Sequence, residues 1–149
     1  MFSHIRRILP GGRPEPHVVQ IVAIRLLCSD EDDARYLSAE FIFDDHHLEA
    51  FDFGPVDLIQ LVRSSQSDGT YFIWTCWCGC PGCGGNRLGV EVRTVGACLE
   101  WSDRDLNRTY ILGKAKLLQA LEICRTEARR MLAADPSLVW APEVNCEFA

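Results

Sequence analysis

Between Lys114 and Ala134, apolar residues recur at helical spacing, and this stripe constrains the fold more than any other feature. Leu117, Leu121, Cys124, Ala128, Met131 and Leu132 fall on one face at 3.6 residues per turn. Such a helix buries one stripe only, so the rest of the chain must supply an apolar surface beneath it. Glu122 with Arg125, and Glu127 with Arg130, form i,i+3 pairs on the opposite side. Ile123 lies opposite the stripe as a misfit and reads as an exposed apolar residue. Pro136 stops the helix.

The surface under that helix reads as strands. Val18 to Cys28 is rich in Val and Ile and predicts a buried strand, with Asp30–Asp33 as the turn after it. Ser38 to Phe43 predicts its hairpin partner. Leu48 to Phe53 predicts a third short strand after a turn at Asp44–His47. Gly54-Pro55 opens a short helix to about Ser64, with proline at a first-turn position where its missing N–H is no loss. Tyr71 to Cys78 alternates in the manner of a strand, as do residues 88–94. Cys98 to Trp101 returns as another strand, and Asp103 to Thr109 reads as a polar connection. The expectation is an α+β fold: one antiparallel sheet of about five or six strands, the long C-terminal helix packed on one face, and a short helix after Pro55.

At 149 residues and 48% apolar content, the chain suits one domain whose core needs no disulfide staples. The glycines and prolines of residues 1–16 read as a flexible arm, residues 17–135 as the domain, and residues 136–149 as a tail without clear period. The N-terminal segment lacks the apolar run of a signal peptide, and no stretch of about 18 apolar residues suggests a membrane span. These features predict a cytoplasmic protein with reduced thiols and no membrane partner.

Charge is uneven. Asp30, Glu31, Asp32, Asp33, Glu40, Asp44, Asp45, Glu49, Asp52 and Asp57 face only Arg35, so this segment carries −9 of a chain whose net charge is −6. An acidic stretch of this size argues against nucleic acid, which requires a basic footprint. It suits a basic protein partner, whose approach the opposite field would steer. Asp30, Glu31, Asp32, Asp33, Asp44, Asp45 and Glu49 are the candidate partner-binding residues. The plain alternative is a solvated, solubilising face.

The chemistry is concentrated in the run TCWCGCPGCGG. Cys76, Cys78, Cys80 and Cys83 lie within eight residues. On an extended strand Cys76 and Cys78 share a face, and Pro81-Gly82 can fold Cys83 back over them. Four converging thiolates would suit tetrahedral zinc, with Zn–S distances of about 2.3 Å. Against this, structural zinc usually joins separate segments, and here it would tie one loop to itself. Cys80 and Cys83 also form a C-x-x-C pair, the spacing of a thiol oxidoreductase, but a glycine-rich turn follows in place of a helix N-terminus. A third reading makes these cysteines packing residues of a tight hairpin. Cys28, Cys98 and Cys124 read as ordinary buried thiols, and Cys146 has no evident role.

The same stretch resembles a group of small, uncharacterised bacterial proteins with the pattern T-C-x-C-G-x-x-G-C-x-G. The matching residues are Thr75, Cys76, Cys78, Gly79, Gly82, Cys83 and Gly85, followed by GVEVRTVGACLEW and a helix, so the resemblance spans about 71–132. Cys80 falls at a variable position of that pattern, which implies a recurring set of three cysteines and weakens the four-thiolate site. The resemblance implies accessory, immunity-type or partner-binding roles more than enzymatic ones.

No phosphate-binding loop, G-x-S-x-G elbow or H-E-x-x-H stretch is present. Asp44-Asp45-His46-His47 reads as a solvated turn, since adjacent residues point apart. Trp74, Trp77 and Trp101 lie on predicted strands and read as core. The leading expectation is a non-catalytic, partner-binding protein of immunity or inhibitor type, presenting an acidic face to a basic toxin. The alternatives are a zinc module on Cys76, Cys78, Cys80 and Cys83, and a thiol redox protein using Cys80 and Cys83.

Overall fold

The computed structural model describes residues 15–44, 55–83 and 85–149. The fold is α+β, with strands in two sheets. Along the chain run β1 (His17–Val18), β2 (Val22–Glu31), β3 (Ala34–Phe43), α1 (Leu58–Gln66), β4 (Gly69–Tyr71), β5 (Val90–Val95), β6 (Cys98–Asp103), β7 (Arg108–Gly113), α2 (Lys114–Ala134) and β8 (Leu138–Trp140). A 3-10 helix, Glu143–Glu147, follows. The larger sheet has the order β1-β7-β6-β5-β4, and the smaller has the order β2-β3-β8.

Each antiparallel ladder follows its side-chain alternation. In the larger sheet Val90, Val92, Leu99, Trp101, Tyr110 and Leu112 are buried. The other face carries Glu91, Arg93 and Arg104 in one ion-pair network. One dry and one wet face is the usual arrangement of such a sheet. The β2–β3 hairpin turns at Asp32 and Asp33, both left-handed at φ 49° and 64°. That geometry matches the twist of the flanking strands, and Asp tolerates it.

The two sheets meet through aromatic rings. Trp101 of the larger sheet lies 5.6 Å from Phe41 and 5.9 Å from Phe43 of the smaller one, measured between ring centroids. Phe43 stacks on Tyr110 at 5.3 Å. Trp74 closes the cluster from the side, 6.2 Å from Trp101. Helix α2 buries Leu117, Leu121, Cys124 and Ala128, the expected stripe, with its main contact on β2. Met131 and Leu132 are partly buried against the same core. Both expected i,i+3 ion pairs form, and Ile123 is exposed. Among the described residues no helix is long and apolar enough to cross a membrane.

Several local expectations are corrected. One sheet becomes two, because the predicted strand from Val18 divides. β1 pairs parallel with β7, and after Ile21 the chain crosses to the smaller sheet as β2. β7, read as polar connection and unassigned chain, completes the larger sheet beside β6. The Tyr71–Cys78 strand ends at Tyr71. Beyond it, residues 73–75 pair instead with residues 55–57 through the Val56–Trp74 bridge and the Asp57 N–H to Ile73 O bond of 2.8 Å. Trp77 is therefore in a turn and half exposed, not core. Helix α1 begins later than Pro55: Asp57 caps it, accepting from Gln60 N–H at 3.0 Å. Cys28 is exposed, since burial fades along the edge strand β2 beyond Leu26. The segment 136–149, read as a tail, is integral: β8 pairs parallel with β3, and Trp140, Asn145 and Phe148 are buried. The predicted strand Leu48–Phe53 and most of the predicted arm 1–16 lie outside the described residues.

Candidate metal centre

The cysteine run is a knuckle whose base is fixed before its thiols are placed. Thr75 is fully buried. Its N–H donates to Pro55 O at 3.1 Å, and its hydroxyl donates to Cys76 O at 2.9 Å. On the returning side, buried Asn86 donates through Nδ2 to Trp74 O at 3.2 Å and through its N–H to Pro81 O at 2.9 Å. Between these anchors the chain reverses at Gly79, whose φ of +81° is the left-handed region that glycine enters without strain. Gly79 N–H donates to Cys76 O at 2.9 Å, and Cys76 N–H to Cys80 O at 3.2 Å.

This backbone brings the sulfurs together. The Sγ atoms of Cys76, Cys78 and Cys83 all lie within 4.8 Å of one another. Cys76 and Cys78 are joined as a disulfide, and Cys78 N–H donates to the Cys76 sulfur at 3.3 Å. Cys80 is outside that trio but hydrogen-bonds Cys83. The amide and thiol of Cys83, with the amide of Gly82, hold the Cys80 thiol below the ordinary range. Its partner Cys83 is raised, because its thiol keeps the proton it shares with the Cys80 sulfur, and that sulfur opposes a second negative charge. Amide N–H groups aimed at sulfur favour thiolate, the form that binds metal. All four predicted cysteines thus form two adjoining pairs at one turn. Among the described residues no helix begins at Cys83 to supply the helix-dipole activation of a C-x-x-C redox site; the next element is β5.

The trio can act in two ways. Reduced, it offers three soft donors to a cation such as zinc, with Cys80 or a water molecule for a fourth position. Oxidised, Cys76 and Cys78 withdraw two of those donors into a disulfide. Metal and disulfide therefore compete for the same sulfurs. The knuckle is also not isolated: a Cβ on Gly79 would stand 3.4 Å from Pro142 Cβ, so the turn packs on the C-terminal segment.

Of the predicted partner-binding residues, those among the described residues are divided between the two ends of the β2–β3 hairpin. Asp30 pairs with Arg35 at 3.0 Å, and Arg35 is also bound by Asp135. Glu31, Asp32 and Asp33 project from the hairpin end, exposed, with no side-chain partner among the described residues. Asp57 is a helix cap, and Glu40 pairs with Arg25. Asp45 and Glu49 lie outside the described residues.

Asp44 is occupied structurally. Its carboxylate accepts from the Gln20 and Ile21 amides at 2.8 and 2.7 Å and meets His17 at 2.8 Å, pinning the crossover between the sheets. Burial opposes its charge, but the Ile21 amide, His17 and the Gln20 amide outweigh it and hold the carboxyl below its ordinary value. A lowered folded pKa stabilises fully above the unfolded value of about 4 and fades as pH falls through the folded one. Asp44→Ala is expected to cost about 1–3 kcal/mol at neutral pH. Urea melts of both proteins should converge in strong acid; equal stability at neutral pH would remove this role.

Thr75 is visible in the sequence pattern, but nothing local marks Asn86, whose role depends on a chain reversal bringing it back to Trp74. No family model, curated protein or solved structure matches this chain.

Proposed function

We propose that this chain is a non-catalytic metal-binding module whose knuckle holds zinc through Cys76, Cys78 and Cys83, with Cys80 as the fourth thiol. The observation that supports it is the convergence of three sulfurs within 4.8 Å, on a turn whose amides face sulfur. A metal here would organise the turn that packs on Pro142, and so act on the C-terminal segment as well as on the loop.

Titration of the reduced full-length chain with Co²⁺ tests this. One equivalent should give the thiolate charge-transfer and visible bands of tetrahedral cobalt, and zinc should displace it. Cys76→Ser and Cys83→Ser should each weaken binding by more than the roughly 10–100-fold that loss of an outer-shell group costs. Cys80→Ser should do the same; an unchanged affinity would give the fourth position to water. A reduced chain with no cobalt bands sinks the reading. In that case thiol–disulfide turnover confined to Cys80 and Cys83 would support the redox alternative.

A second reading rests on a different observation. Glu31, Asp32 and Asp33 stand exposed at the hairpin end with no opposing cation among the described residues. It supports recognition of a basic protein partner, of the kind an immunity or inhibitor protein meets in a basic toxin.

A further inference from the structure

A groove of about 740 Å³ opens between the knuckle, β3, β8 and the end of α2. Its walls carry Tyr36 from β3, Trp77 from the knuckle, Leu132 from α2, and Val139 and Trp140 from β8. Trp77 is 51% exposed and Val139 48% exposed, a large apolar outlay for one region of surface. Among the described residues Glu143 is the one charged member of the lining, and it is exposed with no side-chain partner there. The volume is that of a ligand-sized cleft, in the range of about 300–1,000 Å³.

Beside Tyr36, carboxylates outnumber cations. Arg35, next to Tyr36, is shared by Asp30 and Asp135, so two carboxylates face one guanidinium. Asp33 stands three residues before Tyr36 on the hairpin, roughly 10 Å along the strand. Arg129, one turn before Leu132, lies outside the lining. Aromatic walls with a carboxylate at the rim fit a planar cation on an apolar stem, because a guanidinium stacks on rings and hydrogen-bonds carboxylate together.

We propose that this groove receives an arginine side chain of a basic protein partner, its guanidinium on the exposed ring of Trp77, its stem against Val139 and its charge at Glu143. The acidic hairpin end steers the approach. The partner class deepens the second reading above; β3, β8 and α2 supply most of the groove's walls, while Trp77 stands between the proposed ligands Cys76 and Cys78.

The test uses the full-length, ¹⁵N-labelled chain and two probes, acetyl-Leu-Arg-Leu-amide and the same peptide with uncharged citrulline. The Trp77 and Trp140 indole N–H signals should shift saturably with the arginine peptide, and the citrulline peptide should bind about tenfold more weakly. Glu143→Gln should erase the difference between the peptides, and Trp77→Ala should weaken both. Equal affinities, no saturable shift, or an arginine preference that survives Glu143→Gln would each overturn the proposal. In the last case, loss of the preference in Asp32→Asn/Asp33→Asn would place recognition at the hairpin end and leave the second reading standing. Repeating the titration after chelator treatment separates this result from the metal reading.

Discussion

Trp101→Ala is expected to cost about 3–5 kcal/mol, a large share of the roughly 5–15 kcal/mol that holds a domain of this kind. Trp101 is fully buried at the centre of β6. It contacts Phe41 and Phe43 of the opposite sheet and Trp74 of the crossing segment. Truncation opens a cavity between two layers that no single strand can fill by shifting. The indole N–H has no hydrogen-bond partner among the described residues. Trp101→Phe keeps a ring and discards that unpaired donor, so its cost should be well below that of alanine. Chemical denaturation of the two variants checks this. A loss under about 1 kcal/mol for Trp101→Ala would contradict the role of the ring as the link between sheets.

Asn145→Ala should be comparably damaging, for a polar reason. Asn145 is fully buried in the 3-10 helix. Its Oδ1 accepts from Leu58 N–H at 2.7 Å, and its Nδ2 donates to Val56 O at 2.9 Å. One amide thus satisfies two backbone groups on either side of the Asp57 cap. Alanine leaves both buried and unpaired, at about 1–3 kcal/mol each. Asn145→Asp should also destabilise, since it faces Val56 O with an acceptor. The exposed neighbour Cys146 is the control, and Cys146→Ser should stay within about 0.5 kcal/mol. Thermal melts of all three would decide, and an Asn145→Ala protein as stable as the control would show that the C-terminal segment is not needed at α1.

These predictions both fall on contacts that join distant parts of the chain, and that is where reading the residues alone went astray. Tyr71–Cys78 alternates in sequence, yet it stops being a strand after Tyr71. The N–H of Asp57 and the O of Ile73 find each other across the fold, and a local pattern carries no record of that pairing. The acidic run looked like one face. Its described members are instead a cap at Asp57, a crossover pin at Asp44, ion pairs at Asp30 and Glu40, and a hairpin end at Glu31–Asp33. Charge count along a chain gives field strength, and only the backbone path says which carboxylates reach solvent.

What the sequence determined by itself was local and periodic. The stripe of α2 follows from 3.6-residue spacing, and the β5 and β6 ladder from alternation around Gly96. The clustering of the cysteines follows from their adjacency. Each depends on residues within a few positions of one another, so the chain carries the information in order. Tertiary structure alone decided the division into two sheets, the parallel seat of β8 on β3, the burial of Asn145, and the groove beside Trp77. Those features join residues up to about a hundred positions apart. They exist because separate apolar surfaces and unpaired backbone groups must satisfy one another at once, a condition that no short window of sequence expresses.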